Sequence, residues 1–329
     1  MATMVGAVRR RIITPDMSET KFSVRGFHVK DEPSRDNFEM VGRQFLTGYG
    51  FAAEAARPTD AELGLEQIPD RFRGFAYEGA AMAFAVRDGL PFGGQRHVTD
   101  FLAGRAAQHV YMAYVGMGWA LGRVPRFRWA AATRGATDRL LRWLVLDGYG
   151  FHQAYFQTDK YVHQHFQEPR FPWPADDRTG YANRAIDQGI GRAMWFVGCA
   201  DPDLVATLIE RFPAERHTDL FSGAGLAATY AGGLDEAELG KFAKRAGRHL
   251  PYVAQAGAFA CTARIEAGLL GPHSELAAQV LCGMTATDAD QLSARLRPTS
   301  TADVDGVPAY EVWRQRITHE FVSLGGVSK

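Results

Sequence analysis

The chain lacks any run approaching the eighteen or so apolar residues a helix needs to span a bilayer. It is poor in cysteine. Cys199, Cys261 and Cys282 are the three present, with no metal-ligand or redox spacing, and the odd count argues against a disulfide framework. It carries no excess charge: Lys+Arg and Asp+Glu stand at 37 each, so no overall pull toward nucleic acid or an anionic membrane is evident. The start, MATMVGAVRRRIITP, is basic but has no long apolar core and makes a poor signal peptide, so a cytoplasmic location is expected. Chemical motifs are missing too. There is no GxxxxGK[ST], HExxH or GxSxG, and no DxDD or DDxxD acid cluster. Gly116-Met-Gly118 and Gly189-Ile-Gly191 lack the third glycine of a dinucleotide loop. No cofactor is implied.

What is present is a short phrase repeated seven times: a glycine, a small residue two positions on in six copies (Phe259 stands there in the last), and usually another four positions on. The copies begin at Gly48, Gly79, Gly116, Gly148, Gly189, Gly223 and Gly257, at steps of 31, 37, 32, 41, 34 and 34 residues. A period in the thirties is the mark of a repeated helix pair. Glycine costs a helix about 1 kcal/mol relative to alanine, so its recurrence needs a compensating close approach of another backbone. On a helix the glycine and the fourth residue after it share one face, and the residue two after it lies roughly opposite. Each phrase helix therefore has two flat sides and is shaped to sit between two like neighbours. The expected fold is all-α, about seven helix pairs forming an α/α toroid or tightly curved solenoid with a central cavity.

The expected organisation is one domain: an N-terminal arm over 1–37, helical repeats over 38–297, and a C-terminal loop and capping helix over 298–329. Asp201-Pro202 and Asp235-Glu236 read as openings of partner helices, and Ser274 reads as a cap in the same way. Three prolines between Glu168 and Pro174 forbid a regular helix there. In the last segment Tyr310, Trp313, Ile317 and Phe321 fall on one side of a helix, as a terminal cap requires.

The positions one before and three after each glycine are the expected cavity lining. They contribute Met82, Trp119, Phe151, Gln188 and Leu226 as ligand-contacting candidates, and Glu78, Asp147 and Arg192 as polar groups among them. Glu78 and Asp147 occupy the same slot in two repeats and would suit a general acid and base, with Arg192 holding an anionic group. The competing reading is that these acids pair with arginines and pin the helices. His152 replaces a small residue after Gly148, which suits either proton transfer or a buried, hydrogen-bonded structural role. Phe171 and Trp173 in the proline-rich insertion form either an aromatic lid or a packed connection. His163 and His165 would converge on a metal only from an extended segment; no metal is expected. His97, His109, His217, His249 and His273 are scattered, as surface or core residues.

The stretches GFAYEGAAMAFAVRD (74–88), VGMGWALGRVP (115–125), LVLDGYGFHQAYF (144–156), RAIDQGIGRAMWFV (184–197), FSGAGLAATYAGG (221–233) and PAYEVWRQRI (308–317) carry a family resemblance. The chain resembles the unknown-function protein encoded in the conserved gene cassette beside enediyne polyketide synthases of actinomycetes, from about Arg25 to Ile317. The resemblance implies a pathway, enediyne antibiotic biosynthesis, and no catalytic residues. The expected function is to bind, and help modify by acid–base chemistry, a linear polyene or polyketide intermediate. The alternative is a non-catalytic carrier or scaffold for that intermediate or for other cassette proteins. Nucleic acid and direct membrane insertion are not expected.

Overall fold

The computed structural model describes residues 4–91, 96–177 and 179–325. Within them the regular secondary structure is helical, apart from an isolated antiparallel bridge between Val304 and Val307. It divides into two compact units, one of Met1–Gly26 with Asp36–Tyr149, the other of Phe27–Arg35 with Gly150–Lys329. Sequence patterning pointed to one continuous repeat region. The division between Tyr149 and Gly150 falls inside a helix, at a phrase glycine.

The first unit draws on α1 (Met4–Ile13), α2 (Phe22–Arg25), most of α3 (Glu32–Glu54), α4 (Pro58–Leu65), α5 (Asp70–Gly89), α6 (His97–Leu102), α7 (Val110–Leu121), α8 (Trp129–Ala132) and the start of α9 (Trp143–Phe156). The N-terminal arm is thus partly helical. Phrase glycines set the packing. A methyl built on Gly79 would overlap the Phe45 carbonyl of α3, and one on Gly48 the Ala76 carbonyl of α5. Gly116 meets the Glu78 carbonyl, Gly118 the Val145 carbonyl, and Gly148 the Val115 carbonyl. In α7 the first glycine faces the preceding phrase helix and the glycine two later faces the next one, so both flat sides are used. α3 differs: Gly50 meets the Arg10 guanidinium of α1 instead.

The second unit continues with the end of α9, α10 (Ala182–Val197), α11 (Pro202–Glu210), α12 (His217–Tyr230), α13 (Glu236–Ala246), α14 (Leu250–Glu266), α15 (Pro272–Ala277), α16 (Ala286–Leu296) and α17 (Ala309–Ser323). Gly150 meets the Ile186 carbonyl, Gly191 that of Leu220, Gly223 that of Gln188, and Gly225 the backbone at Val253. Residues 27–35 belong here through the His28 N–H to the Val197 carbonyl (3.1 Å), Lys30 to Glu238 (2.7 Å), and Phe27 edge-on to Tyr155 (centroids 4.9 Å).

Tethers beyond the crossings fix direction. Arg87, eight residues past Gly79, donates to the carbonyls of Ala52 and Ala55, four and seven past Gly48. Arg264, seven past Gly257, donates to the Tyr230 carbonyl, seven past Gly223. Such contacts at matching offsets require parallel phrase helices, and the segments between them run back. A cation at the C-terminal carbonyls of a helix also offsets the negative end of the helix dipole.

The partner helices start as their sequences dictate. Asp201 accepts from the N–H groups of Asp203 and Leu204 ahead of Pro202, and Asp235 closes a capping box with Glu238. Ser274 does not cap. α15 begins at Pro272 behind Gly271, and the Ser274 hydroxyl donates to the Thr229 carbonyl at 2.8 Å, because the proline two residues earlier already fixes the start. Tyr310, Trp313, Ile317 and Phe321 of α17 are all buried, as a terminal cap requires.

Candidate functional site

The phrase helices place the expected lining residues away from bulk solvent. Glu78, Met82, Trp119, Asp147, Phe151, Gln188 and Arg192 are buried, and Leu226 is half-buried.

Within the first unit, Glu78 of α5 and Trp119 of α7 come together. The indole Nε1–H donates to the Glu78 carboxylate at 2.9 Å, and the Phe45 ring of α3 lies 4.6 Å from the Trp119 ring. The crossing of Gly116 over the Glu78 carbonyl sets this pairing, since it brings the two helices to backbone contact one turn before Trp119. A carboxylate holding an indole is oriented, and part of its acceptor capacity is already used. The result is an aromatic, apolar surface with one fixed acid.

Within the second unit, the Arg192 guanidinium lies over the Phe151 ring at 4.8 Å, and Phe151 is in edge contact with Phe196 at 5.2 Å. His152 is buried, with its ring 4.8 Å from Phe156 and Nδ1 3.2 Å from the Gln153 side-chain oxygen. Gln188 donates to Asp219 and to the Tyr181 hydroxyl, both at 3.1 Å.

That glutamine opens onto a buried polar network. Arg314 of α17 donates to Asp219 (2.8 Å), Glu311 (2.7 Å), Tyr181 (3.0 Å), Ser222 (3.1 Å) and Gln255 (3.1 Å). Arg184 adds a second cation, 2.8 Å from Asp219 and 2.9 Å from Glu311. Burial pushes the Glu311 carboxyl up, but Arg314 and Arg184 outweigh it and hold the group below the usual carboxylate range. Ser222, Gln188 and Ala256 belong to the expected lining. In this unit the C-terminal helix and its arginine therefore cover part of that face.

Two further buried clusters serve as tethers. Asp88 accepts His97 Nδ1–H at 2.7 Å, and His97 Nε2 accepts from Arg87 at 2.8 Å, the arginine that holds the end of α3. Burial, with Arg9 nearby, lowers Arg87 to about 10. Asp187 binds Arg216 through two bonds of 2.6 and 2.9 Å, and Arg216 also holds the His165 carbonyl at 2.7 Å.

His163 is exposed at the end of a one-turn π-helix, and His165 has a left-handed backbone (φ 55) with its ring 4.2 Å from Phe212. The segment is not the extended one from which the two histidines would converge on a metal. Among the described residues no group of three His, Cys, Asp or Glu could hold a metal ion. Phe171 and Trp173 are half-buried in a non-helical stretch, which Asn183 of α10 ties down through the Glu168 carbonyl at 2.9 Å.

The family model described as protein of unknown function (DUF1702) matches residues 4–321. The chain belongs to this family. No curated protein and no solved structure matches it significantly.

Sequence reasoning missed Tyr181, Asp219, Glu311 and Arg314 in this DUF1702 chain. One signal was available. Arg314 stands between Tyr310, Trp313 and Ile317 on an otherwise apolar helix face, and a cation there must find buried partners.

Proposed function

We propose that this DUF1702 protein is a non-catalytic carrier for an apolar, conjugated small molecule, of the linear polyene kind that enediyne pathways produce. One observation supports the carrier reading over an enzyme: polar groups of the expected lining face are engaged in joining helices. Glu78 holds the Trp119 indole, Gln188 holds Asp219 and Tyr181, and Arg192 lies on Phe151. Groups positioned this way orient a surface rather than await a substrate proton. The buried Phe45, Met82 and Trp119 side chains, with the two rings 4.6 Å apart and tilted by 38°, are of the kind that would hold a conjugated apolar chain by ring contact and apolar burial. The pathway rests on the sequence resemblance alone. No resident cofactor is part of this reading.

The test is to mix the purified protein with the linear polyene and follow tryptophan fluorescence, polyene absorption and product mass. Saturable quenching, with the polyene recovered intact, is the expected result. Trp119→Ala should weaken binding by on the order of tenfold, as loss of a buried aromatic contact does. An altered chromophore with turnover, abolished by Glu78→Gln, would establish an enzyme instead. Absence of any binding would leave the scaffold reading.

A further inference from the structure

The overall charge balance conceals a local imbalance. α1 (MVGAVRRRII) contains no acidic residue. Met4, Val5, Val8 and Ile12 are 87%, 72%, 53% and 75% exposed. At 100° per residue these four fall within an arc of roughly 100°, with exposed Arg11 at its border. The opposite side of the helix is fastened to the first unit. Arg9 donates to the carbonyls of Ala53, Glu54 and Ala55 at 2.5, 3.0 and 2.8 Å, and the Tyr49 hydroxyl donates to the Ile13 carbonyl at 2.9 Å. Arg10 pairs with Glu54 at 2.8 Å. The apolar stripe is held facing outward.

A second outward apolar group sits at the same end of the same unit. Phe127, between Arg126 and Arg128, is 84% exposed. Arg128 seats this turn on the C-terminus of α5, donating to the Gly89 and Leu90 carbonyls, both at 2.6 Å. Just before that terminus, Arg87 reaches the Ala55 carbonyl of α3, which Arg9 of α1 also holds. α1 and the Phe127 turn are therefore tethered to neighbouring ends of parallel helices. Between Gly122 and Arg142 the chain carries Arg123, Arg126, Arg128, Arg134, Arg139 and Arg142 against Asp138 alone. Arg123, Arg126, Arg134 and Arg139 are exposed.

We propose that this end of the first unit docks on an anionic lipid bilayer. Exposed aliphatic side chains and one aromatic, bordered by arginines and free of acids over α1 and 122–128, match the boundary between anionic headgroups and acyl chains. A second copy laid on the same surface would oppose arginine to arginine, so charge favours lipid. α1 would lie flat in the interface; no helix of the described residues is long and apolar enough to cross a membrane.

Flotation of the full-length protein with phosphatidylcholine vesicles, and with vesicles mixed with phosphatidylglycerol, tests this. The protein should float with the anionic vesicles, less so at high salt, and little with phosphatidylcholine alone. The double variant Val8→Asp, Ile12→Asp and the single variant Phe127→Ser should each lower partitioning by on the order of tenfold. Val322→Asp, exposed on α17 of the second unit, should not. Unchanged far-UV circular dichroism and melting keep a loss of fold apart from a loss of binding. The proposal fails if wild type does not float at low salt. It fails equally if the variants float like wild type, which would leave only a basic patch. It also fails if Val8→Asp, Ile12→Asp splits a solution dimer that ignores vesicles.

Discussion

His249 shows how one buried group makes stability depend on pH. Its ring stacks on Phe221 (centroids 5.2 Å, planes 12° apart) and its Nε2 accepts from Arg248 at 3.2 Å. Burial, then the charges of Arg248 and His217, lowers its pKa to about 4. The folded state thus keeps this imidazole neutral, while the unfolded chain takes up a proton at the ordinary histidine value near 6.5. Between those values the unfolded state binds more protons, so stability falls as pH drops from 6.5 toward 4 and is fully present above 6.5. Allowing for solvent screening, the loss is on the order of 1 kcal/mol. Urea midpoints measured across this range should fall less steeply for His249→Phe, which keeps the stack and cannot titrate. Parallel curves for variant and wild type would remove His249 from the acid response.

At the level of the helix, glycine does two different jobs, and the structure separates them. A methyl on Gly223 would overlap the Gln188 carbonyl of α10, a backbone atom that cannot step aside, whereas around Gly240 of α13 nothing lies within 4 Å. Gly223→Ala should therefore destabilise by about 2–3 kcal/mol through forced separation of two helices. Gly240→Ala should stabilise by about 0.5–1 kcal/mol through helix propensity. Chemical denaturation of the two variants checks both signs. The same contrast explains what the sequence revealed. Phrase spacing exposed the close approaches because they depend on residues two and four apart on one helix. The parallel sense of the helices was not legible, since it depends on distant pairs such as Arg87 with Ala55. Nor was the polar network, whose members Tyr181, Asp219 and Arg314 meet across more than ninety residues of chain without a local pattern. Asp201 and Asp235 were readable as caps because capping is local. Ser274 was misread because Pro272, also local, took precedence.

Across the molecule, the last helix completes the second unit. α17 buries Tyr310, Trp313, Ile317 and Phe321, and its Arg314 joins α10, α12 and α14 through Gln188's partners Tyr181 and Asp219, and through Ser222 and Gln255. Replacing both halves of a buried ion pair by apolar groups is often harmless, whereas removing one half strands the other. Arg314→Met does the latter, leaving Asp219 and Glu311 with Arg184, whose side chain is 42% exposed. The expected cost at neutral pH is about 3–5 kcal/mol. The pH dependence identifies the cause. In wild type the Glu311 pKa is lowered, so its contribution is lost as pH falls. In Arg314→Met burial acts on Glu311 with one cation fewer, its pKa rises, and the folded state takes up a proton more readily than the unfolded chain. From pH 8 to pH 5 Glu311 costs wild type nothing, because its lowered pKa confines that loss to pH values below the ordinary 4.5, whereas protonation relieves the variant, so the gap between their urea midpoints should narrow. A pH-independent gap would assign the loss to packing around Trp313 and Phe259, whose rings lie 4.5 Å apart beside it, rather than to stranded charge.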